Sequence, residues 1–138
     1  MKLSLLMALL WSWAAFGQVR VIVHASNPVN SLTADQVSDF FLKKRRQWSN
    51  GVPLRFFDRN DGTPERIWFL NYIVQRSARE VEMFWIGQKI NTGNSAPAQV
   101  SSDQLTVALV SRFAGAIGYV SADFDKLDGV KVITITAD

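Results

Sequence analysis

The chain has 138 residues, 48% hydrophobic and 20% charged, with no cysteine, one histidine and a formal net charge of +3. That size and apolar content suit one compact domain and exclude a disordered or fibrous chain. The absence of cysteine excludes disulfide frameworks, cysteine-ligated zinc, iron–sulfur clusters and thiol catalysis, and the lone His24 excludes any site of several imidazoles.

Residues 1–17 read MKLSLLMALLWSWAAFG. Lys2 precedes an apolar run, and Ala15 and Gly17 occupy the minus-three and minus-one positions of a cleavage after Gly17. This is the layout of a secretory signal peptide, so an exported mature domain at 18–138 is expected. The alternative, an uncleaved anchor, is shorter than the roughly 20 residues a spanning helix needs. Loss of Lys2 leaves 14 basic against 12 acidic residues, a charge of +2. Nucleic acid is not expected as a partner of an exported chain so nearly balanced in charge.

The mature chain alternates strand and helix patterns. Val19–His24 is β-branched and ends at Ser26-Asn27-Pro28, which marks a strand and a turn. Thr33 with Gln36 forms a capping box, and Val37, Phe40 and Phe41 supply a helical apolar face. That helix is expected to close on Lys43–Arg46, where cations complement the dipole. Val52–Phe57 reads as a second strand. Thr63-Pro64-Glu65 starts a helix running to about Gln75, and Ser77 with Glu80 caps another through Ile86. Asn91–Pro97 is a polar loop, Ser101–Phe113 a fourth helix, and Gly115–Val120 and Val130–Thr136 two further strands. The pattern is a single α/β domain.

Asp58-Arg59-Asn60-Asp61-Gly62-Thr63 is the richest chemical constellation, lying between a strand end and a helix start. Unpaired N–H groups at a helix start favour an anion. Gly62 permits close backbone approach, Thr63 offers a hydroxyl, and Arg59 suits a bidentate oxyanion contact. Asp61 either accepts a proton from a protonated oxyanion or caps the turn. The competing reading is an ordinary strand-to-helix turn with an Asp–Arg surface pair. Ser26 and Asn27, at another strand end, are candidates for the opposing side of one crevice, or simply an Asx turn before Pro28. Lys43–Arg46 is either a docking surface for an acidic partner or a solvated helix end. No catalytic triad, paired-carboxylate site, P-loop or metal-ligand cluster is visible, so no enzyme activity and no cofactor are expected.

Three segments taken together resemble the periplasmic phosphate-binding proteins of ABC transporters, in a short form. They are SLTADQVSDFFLKKRRQW (31–48), VPLRFFDRNDGT (52–63) and AGAIGYV (114–120), in the family's order. The resemblance implies one lobe of a type II periplasmic binding protein, a central mixed sheet flanked by about four helices. It also implies phosphate or a similar small anion as ligand. Arg59, Asp61, Gly62 and Thr63 match the family's phosphate loop, which here is two residues shorter and lacks the inner Ser-Gly. Lys43 stands where the family has glycine. The full proteins close two lobes on the ligand, and this chain has residues for one, which leaves water in the site to weaken each contact. The expected function is weak oxyanion binding linked to phosphate uptake or sensing. The alternative is a periplasmic interaction or sensory module that keeps the fold without the ligand, against a membrane-protein partner. Dimerisation to rebuild a second lobe stays open.

Overall fold

The computed structural model describes residues 18–137, so the expected export signal at 1–17 lies outside the described residues. Strand β1 (Val19–His24) pairs antiparallel with β5 (Ala116–Ser121) on one side and β6 (Val130–Val132) on the other. Strand β3 (Arg55–Arg59) runs parallel to both β5 and β4 (Ala98–Val100). The result is a five-stranded mixed sheet in the order β4-β3-β5-β1-β6. A separate parallel ribbon joins β2 (Ser31–Thr33) to β7 (Thr134–Thr136).

Successive strand residues point to opposite faces, so alternation divides the core in two. Val21, Val23, Phe56, Ile117 and Tyr119 face one side. There they pack under α1 (Ala34–Phe41), α2 (Pro64–Phe69) with its π-helical continuation Leu70–Val74, and α3 (Ala78–Thr92). Ile22, Phe57, Val100 and Val120 face the other side, against Val107 and Val110 of α4 (Asp103–Arg112). Gly118 is needed for this contact: a Cβ there would lie 3.0 Å from Thr106 Cγ2 and 3.3 Å from the Phe57 carbonyl oxygen.

The capping boxes at Thr33 and Ser77 form as their spacing predicts. Several boundaries differ. Helix α3 runs on to Thr92 and takes in the start of the expected Asn91–Pro97 loop. Helix α1 stops at Phe41, because Lys43 takes the left-handed conformation at φ +57° and the Lys44 N–H turns back to the Asp39 carbonyl. Lys43–Arg46 therefore lies beyond the helix instead of closing it. The second strand begins at Arg55, since Val52–Leu54 folds back in a turn that pairs Pro53 with Gln47. The C-terminal strand divides at buried Ile133, whose N–H reaches Val21, while Thr134 bonds to Asn30 and enters the ribbon.

Candidate functional site

The carboxyl edge of β3 runs directly into the turn that starts α2. The Thr63 N–H bonds to the Asn60 carbonyl at 3.3 Å, closing the turn. The Thr63 hydroxyl donates to that same carbonyl at 2.9 Å and accepts the Arg66 N–H at 3.3 Å, capping the helix. Gly62 sits at φ +80° with no atom within 4 Å of where a Cβ would stand, so the tip of the turn is open.

Beneath the turn lies a buried polar network. Asp58 is 2% exposed and accepts three hydrogen bonds. One oxygen takes the Arg59 N–H at 2.8 Å and the Tyr119 hydroxyl at 2.5 Å, and the other takes Arg66 Nε at 2.9 Å. Burial pushes the Asp58 carboxyl above the usual carboxylate range, outweighing the Tyr119, Arg66 and Arg59 donors that favour its charge. Burial, and then the Asp58 charge, push the Tyr119 phenol up, so it stays a donor. Its ring stacks on Phe69 with centroids 4.2 Å apart, which fixes the hydroxyl's position. Arg66 reaches outward as well, its Nη1 lying 3.1 Å from Asp61, which also accepts from Gln99 at 3.1 Å.

Arg59 belongs to a second cluster. It is only 5% exposed; its Nε donates to the Val100 carbonyl at 3.2 Å and its Nη1 pairs with Asp103. Burial alone would raise the Asp103 carboxyl, but the Ser121 N–H and the Arg59 guanidinium hold it below its usual range. The Ser121 hydroxyl donates to Glu65 at 2.7 Å. Two guanidinium groups thus face three carboxylates, those of Asp58, Asp61 and Asp103, while Glu65 accepts from Ser121, and the set ties β3, α2, α4 and β5 together. Among the described residues, no group of three or more His, Asp or Glu side chains could hold a metal ion.

The structure brings Arg59, Asp61, Gly62 and Thr63 to one edge, with Arg59 turned inward and its guanidinium already engaged. Ser26 and Asn27 do not join them. Val120 pairs with Arg20, and the parallel register of β3 with β5 carries Arg59 to that same level. Because β1 runs antiparallel to β5, its carboxyl end points the other way. His24 lies four residues from Arg20, about 13 Å along the strand, and Ser26 lies beyond it. The expectation that both turns share a crevice is therefore corrected: it assumed that β1 runs parallel to β3. Locally, the Ser26 N–H and hydroxyl engage His24 Nδ1 at 3.0 and 2.7 Å. The Asn27 side chain accepts the Val29 N–H at 2.9 Å as an Asx turn.

Sequence reasoning missed Arg66, Tyr119, Asp103, Ser121 and Gln99. Arg66 stands three residues after the Thr63 cap, a usable signal, because an arginine in a first helical turn opposes the dipole and calls for a carboxylate partner. The other four make bonds across 38–61 residues to Asp61, Arg59, Glu65 and Asp58, and no local pattern marks them.

No family model matches the chain, and no curated protein sequence matches it. Solved structures do. A phosphate ABC transporter substrate-binding protein with bound phosphate from Clostridium perfringens is 28% identical, with a TM-score of 0.64 over 86% of this chain and 45% of its own. An ABC-type phosphate transport receptor from Vibrio cholerae is 18% identical, with a TM-score of 0.64 over 88% of this chain and 48% of its own. PstS from Borrelia burgdorferi is 10% identical, with a TM-score of 0.64 over 87% and 47%. The last two show the fold alone, and the chain spans about half the length of all three. In fold, the chain is similar to the substrate-binding proteins of phosphate ABC transporters over about half their length.

Proposed function

We propose that the chain is an exported, non-enzymatic solute-binding-like protein that binds phosphate or a related oxyanion weakly at the turn between β3 and α2, serving ABC-type phosphate uptake or sensing. The observation that carries this reading is the open tip at Gly62 beside Arg66, in a fold similar to a phosphate-bound relative. Export rests on the signal-like layout of residues 1–17. Among the described residues, no helix is long and apolar enough to cross a membrane.

The binding is weak for an electrostatic reason. An incoming anion meets two guanidinium groups already countered by three carboxylates, and it must displace Asp61 from Arg66 to gain a full ion pair. With one side of the site open to water, screening reduces what remains. A dissociation constant in the millimolar range, about −4 kcal/mol, fits that balance.

Phosphate calorimetry on the protein and on Asp61→Asn tests it. Asparagine keeps an acceptor for Gln99 but frees the exposed arm of Arg66, so phosphate should bind several-fold tighter. Equal affinity in both proteins would move the site away from this turn.

The internal neutralisation of Arg59 and Arg66 favours a second reading, an interaction or sensory module that keeps the fold without the ligand. Lys44, Arg45 and Arg46, exposed beyond α1, are its docking surface for an acidic membrane-protein partner. Absence of phosphate heat in both proteins at tens of millimolar, with envelope partners lost on charge reversal at these three positions, selects it.

A further inference from the structure

Next to the turn, an open cleft of about 810 Å³ runs from Asp61 and Gly62 across to α3. Ligand sites for drug-sized molecules span about 300–1,000 Å³, so this space greatly exceeds the needs of a bare tetrahedral anion. Its walls are of two kinds. Val81, Trp85 and Ile86 form an apolar side, Val81 and Trp85 being buried and Ile86 46% exposed. Arg66, Arg79 and Lys89 bring cations to the same cleft, against the carboxylates of Asp61 and Glu82.

Two further observations point to an occupant. Arg79 has no ion-pair partner among the described residues, so its guanidinium is available on the α3 side. The outward stripe of α3 is also apolar, with Met83, Ile86 and Ile90 exposed at helical spacing, and Ile86 lines the cleft at its margin.

We infer that the cleft takes an organic phosphomonoester or phosphonate, with its oxyanion at the Gly62 turn between Arg66 and Arg79 and its apolar group along Val81, Trp85 and Ile86. This rests on the reading of the turn as an oxyanion site and specifies its ligand class. An inorganic phosphate uses only the charged end, whereas an aryl phosphate also takes its own ring and the exposed part of Ile86 out of water, and that added burial is what separates the two ligands. Ligand binding here needs no chemistry: no bond is made or broken.

Calorimetry with inorganic phosphate, phenyl phosphate and phenol on the full chain tests the inference, with Ile86→Asp as the variant. Position 86 is exposed enough to accept an aspartate, and near-ultraviolet circular dichroism checks that the fold persists. Phenyl phosphate should bind at least tenfold tighter than phosphate, phenol should bind more weakly than phenyl phosphate, and Ile86→Asp should bring the two phosphates to equal affinity. Equal affinities in the unaltered protein overturn the organic ligand class while the oxyanion turn stands. A phenyl phosphate advantage that survives Ile86→Asp overturns the placement of the apolar group. Failure of both phosphates to bind overturns the inference together with the oxyanion reading.

Discussion

Replacing Tyr119 by phenylalanine isolates the buried network's central hydrogen bond. The substitution deletes one hydroxyl and leaves the ring stacked on Phe69, with no cavity larger than an oxygen atom. Tyr119 is fully buried, and its hydroxyl donates to a carboxylate that is 2% exposed, so no water replaces the lost donor readily. A hydrogen bond to a charged group contributes about 1.5–3 kcal/mol, against about 1 kcal/mol between neutral groups. For a domain of this size the larger loss lowers the thermal midpoint by roughly 5–15 °C. The pH dependence carries the mechanism. The Asp58 carboxyl is raised in the folded state, so its contribution is full below an ordinary aspartate's range of about pH 4 and is lost as pH rises through the raised folded value. Tyr119 holds that value down, and phenylalanine lets it climb further. The variant's deficit should therefore be near 1 kcal/mol in acid and grow to about 1.5–3 kcal/mol at neutrality. Urea unfolding followed by tryptophan fluorescence, run on both proteins at several pH values, measures the difference, and groups common to both cancel. A deficit that stays flat with pH would refute the coupling between Tyr119 and Asp58.

Two other substitutions probe the scaffold. Asp103→Asn leaves the buried Arg59 guanidinium without its carboxylate and should cost about 3 kcal/mol at neutral pH. Asp103 is held below its usual range, so its stabilisation is present above that range and fades as pH falls; the gap between the two proteins in urea should close in acid, and a constant gap would reject the pairing. Gly115→Ala drives a Cβ to 1.9 Å from the Pro53 carbonyl oxygen, at a residue whose own carbonyl accepts from Trp48 Nε1 and the Arg55 N–H. A loss of about 3 kcal/mol is expected, and an unchanged urea midpoint would show that the turn at Val52–Leu54 yields freely.

The helices were legible because their signals are local. Thr33 with Gln36, Thr63 with Pro64 and Ser77 with Glu80 act within one turn, and each forms where its spacing places it. The end of α1 was less legible, because four positive charges suggested a helix terminus that the left-handed Lys43 pre-empts. The resemblance read from the sequence expects glycine at position 43, and the left-handed φ of Lys43 is a conformation that glycine adopts freely. A lysine adopts the left-handed region at a cost that glycine escapes, and here its ammonium group bonds to the Ser95 carbonyl at 2.6 Å.

The site divides along the same line. Arg59, Asp61, Gly62 and Thr63 are contiguous, so their sharing one turn follows from the chain itself. What they do there depends on partners far away in sequence: Asp103 for Arg59, Gln99 for Asp61, and Tyr119 for the Asp58 that precedes them. The fate of Ser26 and Asn27 turned on a single property, the direction of β1 relative to β5. Strand direction is set by which hydrophobic faces pair across the sheet and by how the connections close, and neither is written in a local window.

By itself, then, the amino-acid sequence determined one α/β domain, its helix starts, a motif order similar to phosphate-binding proteins, and an Asp-Gly-Thr turn at a strand's end. The tertiary structure decided that both arginines near that turn already face carboxylates, that the second candidate turn lies at the opposite edge, and that a cleft with one apolar and one charged wall adjoins the first. The physical reason is range: caps and periodicity act over three or four residues, whereas a buried guanidinium takes whichever carboxylate the folded sheet brings to it.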